Sequence, residues 1–245
     1  MLKYKKTFVI PYYEIDKNKA LKPTSLLNIL NEAAFEHSSI SAKIDKMKEM
    51  NYAWMINRWK VYINKYPTAE EKITIETWTS NIDRFYAERE FLVFDEKDEA
   101  IIKASIIWIF VDISKRKPIK IPEEIQSAYM MINEKVFNDY FDFKEKIDIE
   151  DYIDFQVKRS EIDYNNHVNN TVYLNWMLET VPDEIYNNYK LREFEILYKK
   201  EIKYGDKVLS GIKELNYGSG KKFYHSIVNS DKNVNHAIGI TVWEK

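Results

Sequence analysis

The chain repeats itself, and this repeat limits its possible folds more than any other feature of the sequence. When Phe8 is placed on Phe155, an offset of 147 residues, Glu14-Ile15-Asp16 falls on Glu161-Ile162-Asp163 without a gap. Further along, the offset drops to 135 residues, because the second copy is shorter after its helix. A repeat of this kind predicts two copies of one structural unit.

Each copy is predicted to contain a strand, a helix and a meander of strands. In the first copy, Pro23-Thr24-Ser25 caps an apolar helix, and strands are predicted at residues 54–65, 72–82, 84–94 and 100–113. This order is typical of α+β proteins. With 245 residues, we expect a first domain at residues 1–125, an interdomain connection at 126–150 and a second domain at 151–245.

The composition excludes several kinds of function. The chain has no cysteine, which excludes a thiol nucleophile, a disulfide and a Cys-ligated metal. Its net charge of −2, with Lys and Glu interspersed, argues against nucleic-acid binding. The apolar run Ala104–Val111 is too short to span a bilayer, and Met1–Lys6 lacks the apolar core of a signal peptide. We therefore expect a cytoplasmic protein without a membrane span.

Polar side chains of three types converge where the helix of the second copy begins. Asp163, Asn165 and His167 alternate along the chain, and the cluster Asn169–Thr171 then caps an apolar-periodic helix. A helix N-terminus carries unpaired N–H groups and a partial positive charge, which can stabilise a developing oxyanion without a metal. This stretch is predicted to be an active site.

The two copies differ at this stretch. Asp163 and Asn165 have the counterparts Asp16 and Asn18, so the fold explains part of their presence. His167 has no such counterpart, because the first copy carries alanine at that place. We therefore expect a single active site in the second copy, with the first copy kept for substrate binding.

The same stretch resembles a known family. The run Asp163–Asn170, followed by Tyr173, Trp176 and Glu179–Pro182, resembles the acyl-[acyl-carrier-protein] thioesterases of plastids and bacteria. The first half adds further matches at Thr24–His37, Tyr66–Thr68, Glu76–Trp78 and Lys120–Glu124. The resemblance covers nearly the whole chain and implies two tandem hot-dog domains, each a long helix wrapped by a curved antiparallel sheet.

The resemblance implies an activity and a set of catalytic residues. The reaction would be hydrolysis of the thioester between a fatty acyl chain and the phosphopantetheine arm of acyl carrier protein (ACP), with no cofactor and no metal. The catalytic residues of the family fall on Asp163, Asn165, His167 and Glu201. Many plant members have cysteine after the glutamate, whereas this chain has Ile202. Whether Asp163 or Glu201 is the general base stays open.

Binding sites are predicted for both parts of the substrate. An apolar pocket for the acyl chain is expected in the first domain, with the candidates Leu26, Ile29, Leu30, Trp54, Met55, Trp78 and Trp108. ACP is acidic, so a local basic patch is expected beside the site despite the near-neutral net charge. The candidates for ACP docking are Lys158, Arg159, Lys199, Lys200 and Lys203. The sequence is compatible with a monomer or a homodimer.

Other functions remain open. An acyl-CoA thioesterase has nearly the same chemistry, and a catalytically silent acyl-binding module would have the same fold. Hot-dog hydratases and dehydratases also place Asp, Asn and His at a helix entry, but their motifs carry proline after the asparagine and one more residue before the histidine. Here Asn166 alone intervenes. The remaining histidines, among them His225 and His236, lack the spacing of a zinc site.

Overall fold

The computed structural model describes residues 3–41, 47, 49–144 and 147–245. The chain divides into two compact units, Met1–Asn138 and Asp139–Lys245. We call them the first and the second unit. Among the described residues, no helix is long and apolar enough to cross a lipid bilayer.

The first unit is an antiparallel sheet with one long helix. Its strands are β1 (Tyr4–Val9), β2 (Tyr52–Ile63), β3 (Lys72–Asp83), β4 (Tyr86–Phe94), β5 (Ala100–Asp112) and β6 (Lys117–Pro118). They are ordered β1-β3-β4-β5-β2, and β6 pairs with β5. The helices whose full range lies in the described part of the chain are α1 (Pro23–Ser41) and α2 (Glu123–Gln126).

Helix α1 forms where the apolar spacing predicts it. Proline at its first position has the φ angle that a helix requires. Its buried side chains recur at helical spacing: Leu26, Leu27, Leu30, Ala33 and Ala34. The helix contacts β1 and β3, so this apolar face lies against the sheet.

The second unit repeats the arrangement. Its strands are β7 (Asp151–Gln156), β8 (Lys190–Tyr198), β9 (Lys207–Leu215), β10 (Lys221–Asn229) and β11 (Asn235–Glu244). They are ordered β7-β9-β10-β11-β8, and every pairing is antiparallel. The predicted α+β fold of two strand–helix–sheet repeats is thereby confirmed.

The helix of the second unit is much shorter than the resemblance implied. Helix α3 (Asn170–Leu178) has 9 residues, whereas α1 has 19. After it, Pro182 begins a second short helix, α4 (Asp183–Asn188). Proline lacks a backbone N–H and its ring clashes with the preceding turn, so the first helix cannot continue through it. The first unit has Phe35 at the equivalent place, and α1 runs through it.

Residues of the predicted connection at 126–150 are packed onto the sheets. In the first unit, Trp78 Nε1 donates to the carbonyl of Glu134 at 2.9 Å. In the second unit, the N–H of Phe141 donates to the buried carboxylate of Glu195, at 3.1 and 3.0 Å to its two oxygens. Phe143 belongs to a buried cluster on the same sheet. The expected domain boundaries at 125 and 151 stay a prediction.

Candidate active site

The backbone of the loop at Asp163–Val168 closes on itself. The N–H of Asp163 donates to the carbonyl of His167 at 2.8 Å, and the N–H of Asn166 donates to the carbonyl of Asp163 at 3.0 Å. Ile162 and Val168 form an antiparallel bridge across the base of the loop. Asn166 has a φ of 66°, a conformation that asparagine tolerates better than most residues. The loop is therefore a short, well-defined turn.

The carboxylate of Asp163 holds this turn together. Its Oδ1 accepts the backbone N–H groups of Asn165 at 2.8 Å and His167 at 3.2 Å. The Asn165 side chain lies near its other oxygen, at 3.5 Å. Aspartate commonly bonds to the backbone two residues further on in such turns. The contacts of this carboxylate are thus explained by the loop.

The first unit contains the same turn. There Oδ1 of Asp16 accepts the N–H groups of Asn18 at 2.8 Å and Ala20 at 3.0 Å. Lys19 has a φ of 62°, nearly that of its counterpart Asn166. Because the same bonds occur where no histidine is present, aspartate at this position does not by itself indicate catalysis.

His167 and Glu201 meet although they lie on separate loops. Nε2 of His167 is 3.0 Å from Oε2 of Glu201, and the two side chains are 27% and 36% exposed. The N–H of Val168 donates to the carbonyl of Ile202 at 2.9 Å, which joins the two loops directly beside the pair. The 3.0 Å between Nε2 and Oε2 is the distance of an ion pair when the imidazole is protonated. The pair places a candidate base beside a carboxylate that can orient it.

The start of helix α3 is capped from within the loop. Oδ1 of Asn169 accepts the backbone N–H and the hydroxyl of Thr171, both at 3.0 Å. The N–H of Val172 donates to the carbonyl of Asn169, also at 3.0 Å. Two of the N–H groups that we expected to be free for the oxyanion of the substrate are therefore paired within the cap. What the helix end retains is its partial positive charge.

The predicted docking residues are exposed on the loops around this pair. Lys199, Lys200 and Lys203 flank Glu201, while Lys158 and Arg159 lie on the segment before Asp163. The Arg159 guanidinium stacks on the ring of Tyr204 at 4.8 Å, and the N–H of Val157 donates to the carbonyl of Asp206 at 3.1 Å. These contacts bring the two basic segments together. We call these five residues the basic patch.

The acyl-pocket candidates do not all lie on one face of the first sheet. Arg89 contacts His37 of helix α1 at 2.8 Å and Thr77 of β3 at 3.4 Å, so Thr77 faces the helix. Trp78 follows it and therefore points to the opposite face, where it bonds to Glu134.

The other candidates differ in burial and partners. Leu26 and Leu30 are fully buried on α1, whereas Ile29, Met55 and Trp108 are half-buried. Trp54 packs against Phe110 and donates to the hydroxyl of Tyr129 at 3.1 Å.

A buried polar cluster of the second unit was missed in the sequence. Nδ1 of His225 lies 3.3 Å from the hydroxyl of Thr180, and its Nε2 lies 2.8 Å from that of Thr241. Burial lowers the pKa of His225 to about 3, so the imidazole is neutral. The pairing of β10 with β11 brings His225 beside Thr241, and Thr180 reaches them from the segment after α3. The members are far apart along the chain, so local sequence does not reveal the cluster.

Two family models match the chain. The acyl-ACP thioesterase N-terminal domain matches residues 1–129, and the acyl-ACP thioesterase C-terminal domain matches residues 144–245. Each match falls within one unit, and together they cover most of the chain.

Plant enzymes are among the similar proteins. The oleoyl-acyl carrier protein thioesterase of Coriandrum sativum is 26% identical over 226 residues, which cover 84% of this chain and 61% of that protein. The palmitoyl-acyl carrier protein thioesterase of Arabidopsis thaliana is 28% identical over 215 residues, covering 82% of this chain and 52% of that protein. This chain thus spans little more than half the length of these relatives.

Solved structures share the fold over almost the full length. An acyl-ACP thioesterase from Bacteroides thetaiotaomicron aligns with a TM-score of 0.87 and 24% identity, covering 99% of this chain and 98% of that one. The 12:0-ACP thioesterase of Umbellularia californica aligns with a TM-score of 0.89 and 23% identity, covering 99% of this chain and 94% of that one. These matches confirm the tandem hot-dog fold. The chain belongs to the acyl-ACP thioesterase family.

Proposed function

We propose that this protein hydrolyses fatty acyl-ACP thioesters to a free fatty acid and holo-ACP. The observation that carries the proposal is the contact between His167 and Glu201, at 3.0 Å on two loops joined beside the start of helix α3. Family membership supports the thioester as the reacting bond. The proposal places the reaction in fatty acid synthesis, in the cytoplasm, with a monomer or a homodimer as the active form.

In the proposed mechanism, His167 and Glu201 activate a water molecule together. The Nε2–H of His167 donates to Glu201, and Nδ1 accepts a proton from water as its oxygen attacks the thioester carbonyl. The Glu201 carboxylate stabilises the imidazolium that forms. When the tetrahedral intermediate collapses, the C–S bond breaks and His167 returns the proton to the sulfur. The products are a carboxylic acid and a free thiol.

The other polar residues of the motif have supporting parts in this proposal. Asp163 holds the turn that carries His167, as its backbone hydrogen bonds indicate. Asn165 is exposed beside it, and we assign its amide to the orientation of the thioester carbonyl. The partial positive charge at the start of α3 stabilises the negative charge that develops on the carbonyl oxygen.

The basic patch supports ACP as the carrier of the acyl group. Its five exposed cations stand on both sides of Glu201, and opposite charge steers an acidic partner toward its binding site. We propose that ACP docks on this patch and delivers the phosphopantetheine arm to His167. Trp54 and Met55 are neighbours on β2 and therefore point to opposite faces of the sheet. Trp54 and Trp108 lie on the face toward helix α1, and we propose that they contact the acyl chain together with Leu26, Ile29 and Leu30.

Release of thiol from purified acyl-ACP tests the proposal. The protein would be assayed with a series of acyl chain lengths on ACP and with the same acyl groups on CoA. We expect hydrolysis with a lower KM for the ACP substrates, and loss of turnover in His167→Ala with an unchanged melting temperature. Full activity of this variant would overturn the mechanism, and equal KM values for CoA and ACP would favour an acyl-CoA thioesterase.

A further inference from the structure

The backbone that follows Glu201 is held in the same way in both units. The carbonyl of Ile202 accepts the N–H of Val168 at 2.9 Å. In the first unit, the carbonyl of Pro67 accepts the N–H of Leu21 at 2.8 Å. This bond belongs to the repeated fold, because it is present whether or not a glutamate precedes it.

The backbone before Glu201 is also held in both units. The N–H groups of Lys199 and Lys200 donate to the carbonyl of His236, at 2.8 and 3.1 Å. In the first unit, the N–H groups of residues 64 and 65 donate to the carbonyl of Ile101, at 2.9 and 3.2 Å. His236 and Ile101 are therefore structurally equivalent, and their backbone bonds are part of the fold.

The side chains at this pair of positions are different. Nδ1 of His236 lies 3.2 Å from the carbonyl oxygen of Lys200. A carbonyl only accepts, so Nδ1 carries the proton and donates it to this bond. Ile101 has no donor. The imidazole contact is therefore found only in the unit that contains His167 and Glu201.

This contact acts on the peptide group that leads into Glu201. The carbonyl of Lys200 and the N–H of Glu201 lie in one planar peptide group, so fixing the oxygen fixes the orientation of the whole plane. The direction in which the Glu201 side chain leaves the backbone depends on that plane. A donor on the Lys200 carbonyl therefore restricts where the carboxylate can lie.

His236 is suited to hold this bond at neutral pH. It is 7% exposed, on β11. Burial lowers its pKa and outweighs the opposing effect of hydrogen bonds to the backbone of Lys200 and Glu201. The charge of Lys200 lowers the same pKa, whereas that of Asp206 raises it. The imidazole is therefore neutral, with its single proton on Nδ1.

We propose that His236 is a positioning residue that holds Glu201 against His167 by fixing the Lys200–Glu201 peptide group. For its effect on turnover, the inference rests on the thioesterase activity proposed above. His236 contacts the carbonyl oxygen of Lys200, so we expect its effect on turnover to be exerted through Glu201.

The variant His236→Ile tests this with a side chain that the fold already carries at the equivalent position. It removes the donor and keeps the apolar bulk and the backbone bonds. We expect kcat to fall about 10-fold, since small displacements of a catalytic group are costly, with KM unchanged. His236→Asn, whose amide N–H takes approximately the place of Nδ1, should restore kcat. A failure of the asparagine to restore what isoleucine removes would overturn the proposal.

A double-mutant cycle shows whether His236 acts through Glu201. In a Glu201→Gln background, His236→Ile should lower kcat no further, because the group that it positions is already gone. The same fold-loss in both backgrounds would overturn the proposal. Should His236→Ile not fold, His236→Gln replaces it, because its amide lies nearer the place of Nε2 and cannot reproduce the Nδ1 bond.

Crystal structures of the wild type and of His236→Ile give a readout that does not depend on activity. We expect the distance between His167 Nε2 and Glu201 Oε2 to exceed the 3.0 Å of the wild type by at least about 0.5 Å, which places the two atoms beyond hydrogen-bonding distance. If the carboxylate does not move, the positioning role is wrong, whatever the kinetics. If it moves but the wild type releases no thiol, the proposed function is wrong and the positioning role stands.

Discussion

Replacing Asp163 by asparagine distinguishes a catalytic role of this carboxylate from a role that is limited to holding the loop. Oδ1 of Asp163 accepts the N–H groups of Asn165 at 2.8 Å and His167 at 3.2 Å. The amide oxygen of asparagine can accept the same two bonds, so Asp163→Asn removes the charge and keeps the turn. We expect kcat to fall by less than about 10-fold, whereas the loss of a general base costs about 10²- to 10⁴-fold.

Replacing Asp163 by alanine instead removes both bonds. At about 1 kcal/mol for each hydrogen bond, the loss is about 2 kcal/mol of folding free energy. For a protein of this size, that corresponds to a fall in melting temperature of about 4 to 8 °C. Turnover should fall as well, because the turn that presents His167 loses its support.

The first unit supplies the matched control. Oδ1 of Asp16 makes the same two backbone bonds, at 2.8 and 3.0 Å, in a turn without a histidine. Asp16→Ala should therefore lower the stability of its unit by a similar amount and leave kcat unchanged. The assays are thiol release under saturating acyl-ACP and thermal unfolding followed by circular dichroism. If turnover in Asp163→Asn instead falls by about 10²-fold or more at an unchanged melting temperature, the charge takes part in the reaction and the reasoning is refuted.

Three further changes test other parts of the structure. Glu201→Gln should lower kcat at least about 10²-fold at an unchanged melting temperature, and a loss below that would contradict its pairing with His167 in the reaction. Charge reversal of Lys199 and Lys200 to glutamate should raise KM for acyl-ACP at low salt but not for a small thioester, and equal effects on both would argue against docking. His225, whose pKa is lowered to about 3 by burial, takes up a proton when the protein unfolds below about pH 6.5. Above that pH the proton uptake has no effect on stability. As the pH falls toward 3, it lowers the free energy of unfolding by up to about 1.4 kcal/mol per pH unit. In His225→Gln, the free energy of unfolding, measured with denaturant at about pH 7 and about pH 5, should lose this part of its pH dependence. An unchanged difference between the two pH values would contradict the prediction.

Much of the fold was predictable because the sequence repeats. The offset of 147 residues that aligns Asp16 with Asp163 also aligns the positive φ angles of Lys19 and Asn166. The strands expected at 72–82 and 100–113 are observed at Lys72–Asp83 and Ala100–Asp112. Local periodicity and turn chemistry determine these elements, and both can be read from neighbouring residues.

The end of the second helix can also be predicted from the sequence. Pro182 stands where Phe35 stands in the first unit, and proline is a strong signal against a continued helix.

Contacts between distant parts of the chain could not be predicted from spacing. Glu201 reaches His167 from a different loop, and only the family resemblance proposed their association. His236 contacts the loop of Glu201 from β11, and its position in the sequence does not predict this contact. Trp78 points away from helix α1 because its neighbour Thr77 faces that helix. The sequence does not show which of the two residues faces the helix, since this depends on the contact of Thr77 with Arg89. Each of these depends on contacts between distant segments of the chain rather than on local sequence.

The turn shared by the two units separates architecture from reactivity. Backbone bonds, one aspartate and one residue with a positive φ angle maintain its shape in both places. Ala20 and His167 differ within this turn, and Tyr66 and Glu201 differ on the neighbouring loop, and none of these side chains is needed to form the turn. Substitution at such positions can therefore create or remove a reactive site while the turn keeps its shape. The two units of this chain carry the turn once with the histidine and once without it.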